Sequence, residues 1–464
     1  MSKQKPFSPH PKDSKHTSYI EVENIGPIQK AKIDLSKGFI ILIGQNNLGK
    51  SYLAVLTKAI YDMLDPSAYP RIYPPLLRNP ELREISEIER ELRERRFRID
   101  EDLTNRLSDA STKYLKLNCQ RFLKQNLARY FGITEPKELI NWDKEAASIH
   151  FENEWIELKI NIPKRDEPEI ELKVNQETIK ENIKKIEKSE DLFLVFRFPL
   201  FGLLKIGISE AHYLPASRSG IMQSHRVVAA SIVAEAPFLP VRGVTLPPLG
   251  VTMSQFIEKL LRIPTQGYPR GSVSLVADLL EKGVLKGRIS VRQSEHPGND
   301  IVYAVNDHEL SLLQSASSVA ELSPLILFLR YYVSKNSVLI IEEPEAHLHP
   351  QAIRVVAKAL ARLSNLGVKI MVTTHSDYLL SQVSNLVLSY ESPKQELDKN
   401  NIDLQERVDP NKIAIYLFEG NEKGSKANEL NVSKDGIPLD EFNKINDELY
   451  GEHISLFYAK GEKS

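Results

Sequence analysis

The sequence predicts an α/β fold, a mixed and parallel sheet flanked by helices, and three stretches carry that prediction. The run "FIILI", Phe39 to Ile43, has the aliphatic and aromatic character of a buried strand and leads through "GQNNLGKSY", Gly44 to Tyr52, into the helical pattern "LAVLTKAIYDML". The segments "SVLIIEEPEAHLHP", from Ser337, and "VKIMVTTHSDYLL", from Val368, each begin as aliphatic strands and end in polar residues. One helix, "QAIRVVAKALARL", lies between them. Strands that alternate with helices in this way build a parallel sheet.

The first stretch contains G-x-x-x-x-G-K-S between a strand and a helix, the context that separates a phosphate loop from a chance glycine turn. Its backbone N–H groups and the helix N-terminus can cradle anionic oxygens. Gly44 and Gly49 permit the wrap, and Asn46, Asn47 and Tyr52 complete the candidate nucleotide-contacting loop. Lys50 is expected to reach β- and γ-phosphates, and the Ser51 hydroxyl to ligate Mg²⁺.

The second stretch ends in paired carboxylates. Two acids at the mouth of a parallel strand repel each other unless a cation sits between them; Glu342 fits the residue that holds Mg²⁺ through water, and Glu343 the base that polarises an attacking water. His347 and His349 raise the alternative of a zinc site, but alternating residues after a strand more often form a turn, and no cysteine joins them. In the third stretch His375 stands at a strand end, placed to hydrogen-bond a γ-phosphate, with Asp377 as a group that can orient its ring. Its spacing of 32 residues from Glu343 across a single helix supports that role over ordinary packing. Upstream, "LSLLQSASSVAELSPLILFLRYY" puts Ser315, Ser317 and Ser318 at the start of an apolar helix, either to present its N-terminus to an anion or simply to cap it.

Composition narrows the remaining classes. The 464 residues are 41% hydrophobic, enough for a large core. With 61 basic and 62 acidic residues, any nucleic-acid contact must be a local patch. Cys119 is the sole cysteine, which excludes an internal disulfide and suits a reducing cytoplasm. The most apolar run, Leu192 to Ile208, is interrupted by Arg197, Pro199 and Gly202 and is too short to span a bilayer, so it reads as core or as a partner-facing surface.

Along the chain, residues 1–16 read as a frayed polar tail and 17–64 as the lobe that carries the phosphate loop. Residues 65–205 read as an inserted helical and β unit. It comprises a proline-rich connector (Asp65 to Pro80), a mixed-charge helix "ELREISEIERELRERRFRID", alternating strands from Ser148 to Val174 and a basic helix "IKENIKKIEK". Residues 206–389 hold the second lobe, with a further proline-rich piece from Ala236 to Gly250, and 390–464 a hairpin and a helix.

Taken together, these motifs resemble the ABC-type ATPases of the SMC/RecF/OLD branch, and "HYLPASRSGI", "EEPEAHLHP" and "IAIYLFEG...GIPLDEFNKINDELYGE" look like the stand-alone AAA-family ATPases found in prokaryotic anti-phage operons. The 290 residues between Ser51 and Glu342 match that branch. The resemblance implies an ABC/SMC-type P-loop ATPase head using ATP and Mg²⁺, with Lys50 and Ser51 in the phosphate loop, Glu342 on the metal, Glu343 as catalytic glutamate and His375 as switch. It aligns Ser315 with the signature serine, although serines replace the family's Leu-Ser-Gly-Gly glycines, and puts Arg218 where relatives carry a nucleotide-sensing residue.

It further implies a cytoplasmic, ATP-bridged homodimer or an oligomer of dimers, away from the membrane, that serves as sensor or scaffold for a separate effector such as a nuclease in phage defence. A RecF-like ATPase of DNA repair that contacts DNA directly is the alternative, and a transporter ATPase a more remote one. The chain has no long heptad arm for chromosome tethering, and the roughly 75 residues after Ser389 are too few for the Toprim nuclease of OLD-type relatives beside the hairpin and helix.

Overall fold

The computed structural model describes residues 18–65, 83–95, 100–178, 180–181, 210–216, 218–224, 250–264, 273–293, 299–421, 423–438 and 440–461. The N-terminal tail, most of the basic helix after Val174, the apolar run Leu192 to Ile208 and nearly all of both proline-rich pieces lie outside the described residues.

The chain opens with an antiparallel hairpin, β1 (Tyr19–Ile25) and β2 (Ile28–Asp34), followed by β3 (Phe39–Gly44) and α1 (Lys50–Leu64). Helices α2 (Arg83–Glu94) and α3 (Glu101–Gln125) precede strands β4 (Ala146–Glu152), β5 (Ile156–Pro163) and β6 (Glu169–Val174). Then come β7 (Ala211–Leu214), α4 (Val251–Leu261), α5 (Ser274–Leu280) and a small sheet of β8 (Arg288–Gln293), β9 (Asn299–Val305) and β10 (His308–Ser311). The last third holds α6 (Ser317–Tyr331), β11 (Val338–Glu342), α7 (Pro350–Asn365), β12 (Lys369–Thr373), α8 (Asp377–Leu388), the hairpin of β13 (Ile413–Asn421) and β14 (Gly424–Leu430), and α9 (Asp440–Gly461).

Eleven strands form one sheet in the order β6-β5-β4-β1-β2-β14-β13-β3-β12-β11-β7. From β13 to β7 the neighbours are parallel; from β6 to β2 they are antiparallel. Because side chains alternate along a strand, each central strand feeds two cores. Ile40, Leu42, Val338 and Ile340 pack on α1 and α3, whereas Phe39, Ile41, Leu339 and Ile341 pack on α5 to α8. The helix that follows the phosphate loop and the helix that carries the serines therefore lie on opposite faces of the sheet.

Two expectations are corrected. Residues 65–205 do not stand apart as an inserted unit: β4 pairs with β1, so its strands extend the ATPase sheet, and α3 shares a core with α1. The mixed-charge helix does not extend through Asp100. It is helical over Arg83–Glu94, and Asp100 instead caps α3, accepting a hydrogen bond from Leu103 N at 2.9 Å. Ion pairs from Arg95 and Arg106 to Glu91 tie the two helices together. The C-terminal segment forms the expected hairpin and helix, and the hairpin joins the main sheet, with β13 parallel to β3 and β14 beside β2. Among the described residues, no helix is long and apolar enough to cross a membrane.

The hairpin and α9 should differ sharply in what they contribute. β13 buries Ile413, Ile415, Tyr416 and Phe418, whereas Leu449, Tyr450, Leu456, Phe457 and Tyr458 of α9 are exposed. A chain ending after Pro438 is expected to unfold cooperatively within a few degrees of the full chain, while one ending after Lys412 loses β3's neighbour and fails to fold. Thermal unfolding followed by circular dichroism checks both; a folded Lys412 truncation would contradict the assignment.

Candidate functional site

Strand register brings the motifs together. Leu42, Thr373 and Glu342 are aligned across β3, β12 and β11, so Gly44, Thr374, His375 and Glu343 emerge at the same C-terminal edge, about 10 Å across at two strand spacings. In open parallel sheets this edge is where ligands bind. Two backbone bonds continue the alignment past the strand ends, from Glu343 N to Thr373 O at 2.9 Å and from Thr374 N to Leu42 O at 3.0 Å.

At the phosphate loop both glycines are sterically required. Gly44 has φ 131°, and a Cβ there would approach Phe418 O to 2.4 Å; Gly49 has φ 95°, and its Cβ would approach Ile28 to 2.4 Å. Asn47 adopts the left-handed region at φ 64°, which asparagine tolerates better than most residues. Gly49 opens α1 without a side-chain cap, which leaves the first-turn N–H groups available to an anion. Lys50 is 5% exposed, and its ammonium donates to Gly44 O at 2.8 Å and Gln45 O at 2.6 Å. Burial draws its pKa down to about 8, against the opposing pull of the Glu343 carboxylate. Tyr52 points away from the loop, packed over Gly26 and tilted against Phe131 at 5.1 Å between ring centroids.

Glu342 lies on the α1 side of the sheet, in line with Val338 and Ile340. Its Oε1 is buried and has no hydrogen-bond partner among the described residues. A buried carboxylate oxygen without a donor is costly unless a cation meets it; together with the exposed Ser51 hydroxyl it forms an oxygen donor set suited to Mg²⁺. Glu343 sits at φ 43°, a strained conformation for a residue with a side chain.

Arg218 holds that strain in place. Its guanidinium is 2% exposed and donates to Glu342 O at 2.5 Å, Glu343 O at 2.8 Å and Pro215 O at 3.0 Å, while pairing with Glu321 Oε1 at 2.5 Å. Glu321 belongs to α6 and also accepts from Ser219 N at 3.0 Å. Burial lowers the Arg218 pKa from its usual range, opposed first by Glu321. With its donors directed at these partners, Arg218 supports the acidic turn from behind instead of presenting a free fork to a nucleotide.

His375 is exposed, and its pKa falls below the usual imidazole value through desolvation at the site mouth, then through Lys50, with Glu343 opposing. Lys50, Glu343 and His375 thus sense one another electrostatically. The His375 ring and Asp377 make no hydrogen bond, so the structure does not bring that expected pair together; Ser376 caps α8 instead, accepting from Leu379 N. Ser315 bonds Leu312 O at 2.9 Å, and neither it nor the exposed Ser317 caps α6, whose N-terminus is open. His347, at φ 57°, lies in a turn, and His349 caps α7 through Gln351 N. Among the described residues, no group of three or more His, Cys, Asp or Glu side chains could hold a metal ion.

Three supporting residues escaped the sequence reading. Glu345 accepts from Thr374 Oγ1 at 2.5 Å and from His375 N at 3.1 Å; the third acid of "EEPE" was its only signal. Ser425, fully buried on β14, donates to Leu48 O at 2.5 Å and props the phosphate loop, with no local signal in the sequence. Tyr213 on β7 is pushed well above the usual phenol range by burial and then by the Glu342 carboxylate.

Comparison with known proteins gives this geometry a family. A 46-residue segment is 44% identical to the Old nuclease of Escherichia phage P2 and covers 10% of this chain and 8% of that protein. Solved structures include an Smc head bound to the C-winged helix domain of ScpA, at 12% identity and TM-score 0.44, covering 90% of this chain and 98% of the other. The Thermotoga maritima SMC head domain matches at 10% identity and TM-score 0.38, over 90% of this chain and 99% of its own. The model of the AAA ATPase domain family matches residues 18–195 and 253–380, about two-thirds of the sequence, including the phosphate loop, the acidic strand and His375. The chain belongs to the AAA ATPase domain family and is an ATP-binding P-loop ATPase.

Proposed function

We propose that this chain is a Mg²⁺-dependent ATP hydrolase that dimerises around ATP and serves as sensor or scaffold for a separate effector of the nuclease class in phage defence. The observation that carries dimerisation is the placement of α1 and α6 on opposite faces of one sheet. The uncapped N-terminus of α6, on the face of the sheet opposite its own chain's loop helix, can complete the site of a second copy. The small Ser315 and Ser317 let helix N–H groups approach a γ-phosphate without the family's glycines. Support for a separate nuclease comes from the motifs shared with stand-alone defence ATPases and from the short likeness to Old nuclease, confined to 8% of that protein.

In this reading Ser51 and Glu342 would hold Mg²⁺, which would neutralise charge on the phosphate oxygens. Lys50 exchanges its bonds to Gly44 O and Gln45 O for β- and γ-phosphate oxygens. Glu343 takes the proton from the attacking water, and the strained turn fixed by Arg218 aims its carboxylate. His375 donates to the γ-phosphate and registers its loss. Direct DNA binding has less support. On the antiparallel strands Glu21 and Glu157 are paired with Lys30, Lys32, Lys159 and Lys173, whereas phosphate backbones require unpaired cations.

Glu343→Gln is expected to bind ATP, lower turnover by two orders of magnitude or more, roughly, and accumulate as dimer. Light scattering with and without ATP, beside single-turnover hydrolysis, reads both. If Glu342→Gln instead gives the ATP-bound inactive species, the two carboxylates have been assigned in reverse.

Proton linkage gives a second test. Lys50 titrates near 8 in the free protein, and phosphate oxygens favour its charged form, so binding takes up a proton above that pH and affinity falls as pH rises through it. Calorimetry at about pH 8.5 in two buffers of different ionisation heat should show proton uptake that vanishes in Lys50→Met. Identical heats in the wild-type protein would contradict the assignment.

A further inference from the structure

We infer that Glu345 is a positioning residue that latches the switch histidine to the catalytic acidic turn, an inference that rests on the ATPase reading and deepens it. Glu345 stands two residues beyond Glu343, and its Oε1 accepts from both the Thr374 hydroxyl at 2.5 Å and the His375 backbone N–H at 3.1 Å. Thr374 Oγ1 in turn accepts from Ser376 N at 3.0 Å, so the chain of bonds runs from the acidic turn through the switch segment to the cap of α8. Thr374 is fully buried, which leaves its hydroxyl a single geometry. His375, by contrast, has an exposed ring, and the described structure gives that ring no hydrogen bond; its position depends on its backbone.

The latch spans two adjacent strands. Glu345 follows β11, His375 follows β12, and the strands themselves are joined only up to the Glu343 N to Thr373 O bond. Beyond that point no backbone pairing joins the two segments, and the Glu345 side chain replaces it. Its second oxygen, Oε2, is buried and without a hydrogen-bond partner among the described residues. That is an expensive arrangement for a carboxylate kept only to fill space, since a buried acceptor without a donor costs stability. The turn it belongs to is also the one strained at Glu343 and His347. A movement of His375 toward or away from a γ-phosphate is therefore transmitted to the base, and the base is in register only when the switch segment is.

The test uses the full chain with Glu345→Gln, Glu345→Ala, Thr374→Val and the Glu345→Ala/Thr374→Val double variant. The Gln amide oxygen keeps the acceptor, whereas Ala removes it. Glu345→Ala and Thr374→Val are each expected to lower kcat about tenfold to a hundredfold, with ATP affinity, measured separately by equilibrium binding, within about twofold of wild type. The double variant should be no slower than the worse single one, because both break one linkage, and Glu345→Gln should recover most of the turnover. Hydrogen exchange at the His375 amide should quicken in Glu345→Ala and stay slow in Glu345→Gln. Turnover of Glu345→Ala near wild type, multiplicative losses in the double variant, or unchanged exchange at His375 would each overturn the latch. If Glu345→Ala does not fold, Thr374→Val compared with Thr374→Ser carries the same decision. Should the wild-type protein hydrolyse no ATP, the ATPase reading fails, and amide exchange still decides the latch on its own.

Discussion

The structure depends on the parallel alignment of β3, β12 and β11, with Leu42, Thr373 and Glu342 side by side. A shift of one residue in β11 would move Glu342 from the α1 face to the opposite one, and the same shift in β3 or β12 would move the phosphate loop or His375 out of line with the carboxylates. The pairing is secured by burial on both faces, since all three strands consist mostly of aliphatic residues with no solvated side. Chemistry at the edge thus inherits its precision from packing in the middle.

Around that edge the chain accepts local costs that its core sustains. Arg218 and Glu321 form a fully buried ion pair, a kind of contact that seldom adds net stability but is costly to break by removing one partner. Here the pair also supplies donors to two consecutive carbonyls of a left-handed turn and ties α6 to the acidic strand. Lys50 loses part of its proton affinity to burial, and Glu342 keeps an oxygen without a donor. Each departure from a relaxed, neutral interior lies at or directly behind the C-terminal edge of the same parallel strands, as expected of groups arranged for an anionic ligand and its cation.

Much of this was legible in the sequence because the decisive groups are contiguous. "GQNNLGKS", "LIIEEP" and "VTTHS" each combine a strand with its terminal polar residues, so one short window holds both the position and the chemistry. What stayed hidden joins distant windows. Ser425 reaches Leu48 across 377 positions and Arg218 reaches Glu343 across 125, and no local pattern marks such partners. The hairpin after Ile413 reads correctly as a hairpin, yet its place between β2 and β3 follows from pairing that periodicity does not encode. The segment 65–205 looked separate because its charged helices differ in texture from the aliphatic strands, although its β-strands complete the same sheet.

The central claim is that one chain presents only half of a nucleotide site, because α1 and α6 stand on opposite faces of its sheet. It is tested most directly by mixing two inactive proteins, Lys50→Ala and the double variant Ser315→Trp/Ser317→Trp, after light scattering has shown that each folds and associates. In a heterodimer the intact loop of one chain meets the intact α6 of the other, so ATPase activity should appear on mixing and approach about a quarter of the wild-type rate at equal proportions with free subunit exchange. A mixture that remains inactive while heterodimers form, or a chain that hydrolyses ATP as a strict monomer, would contradict the account.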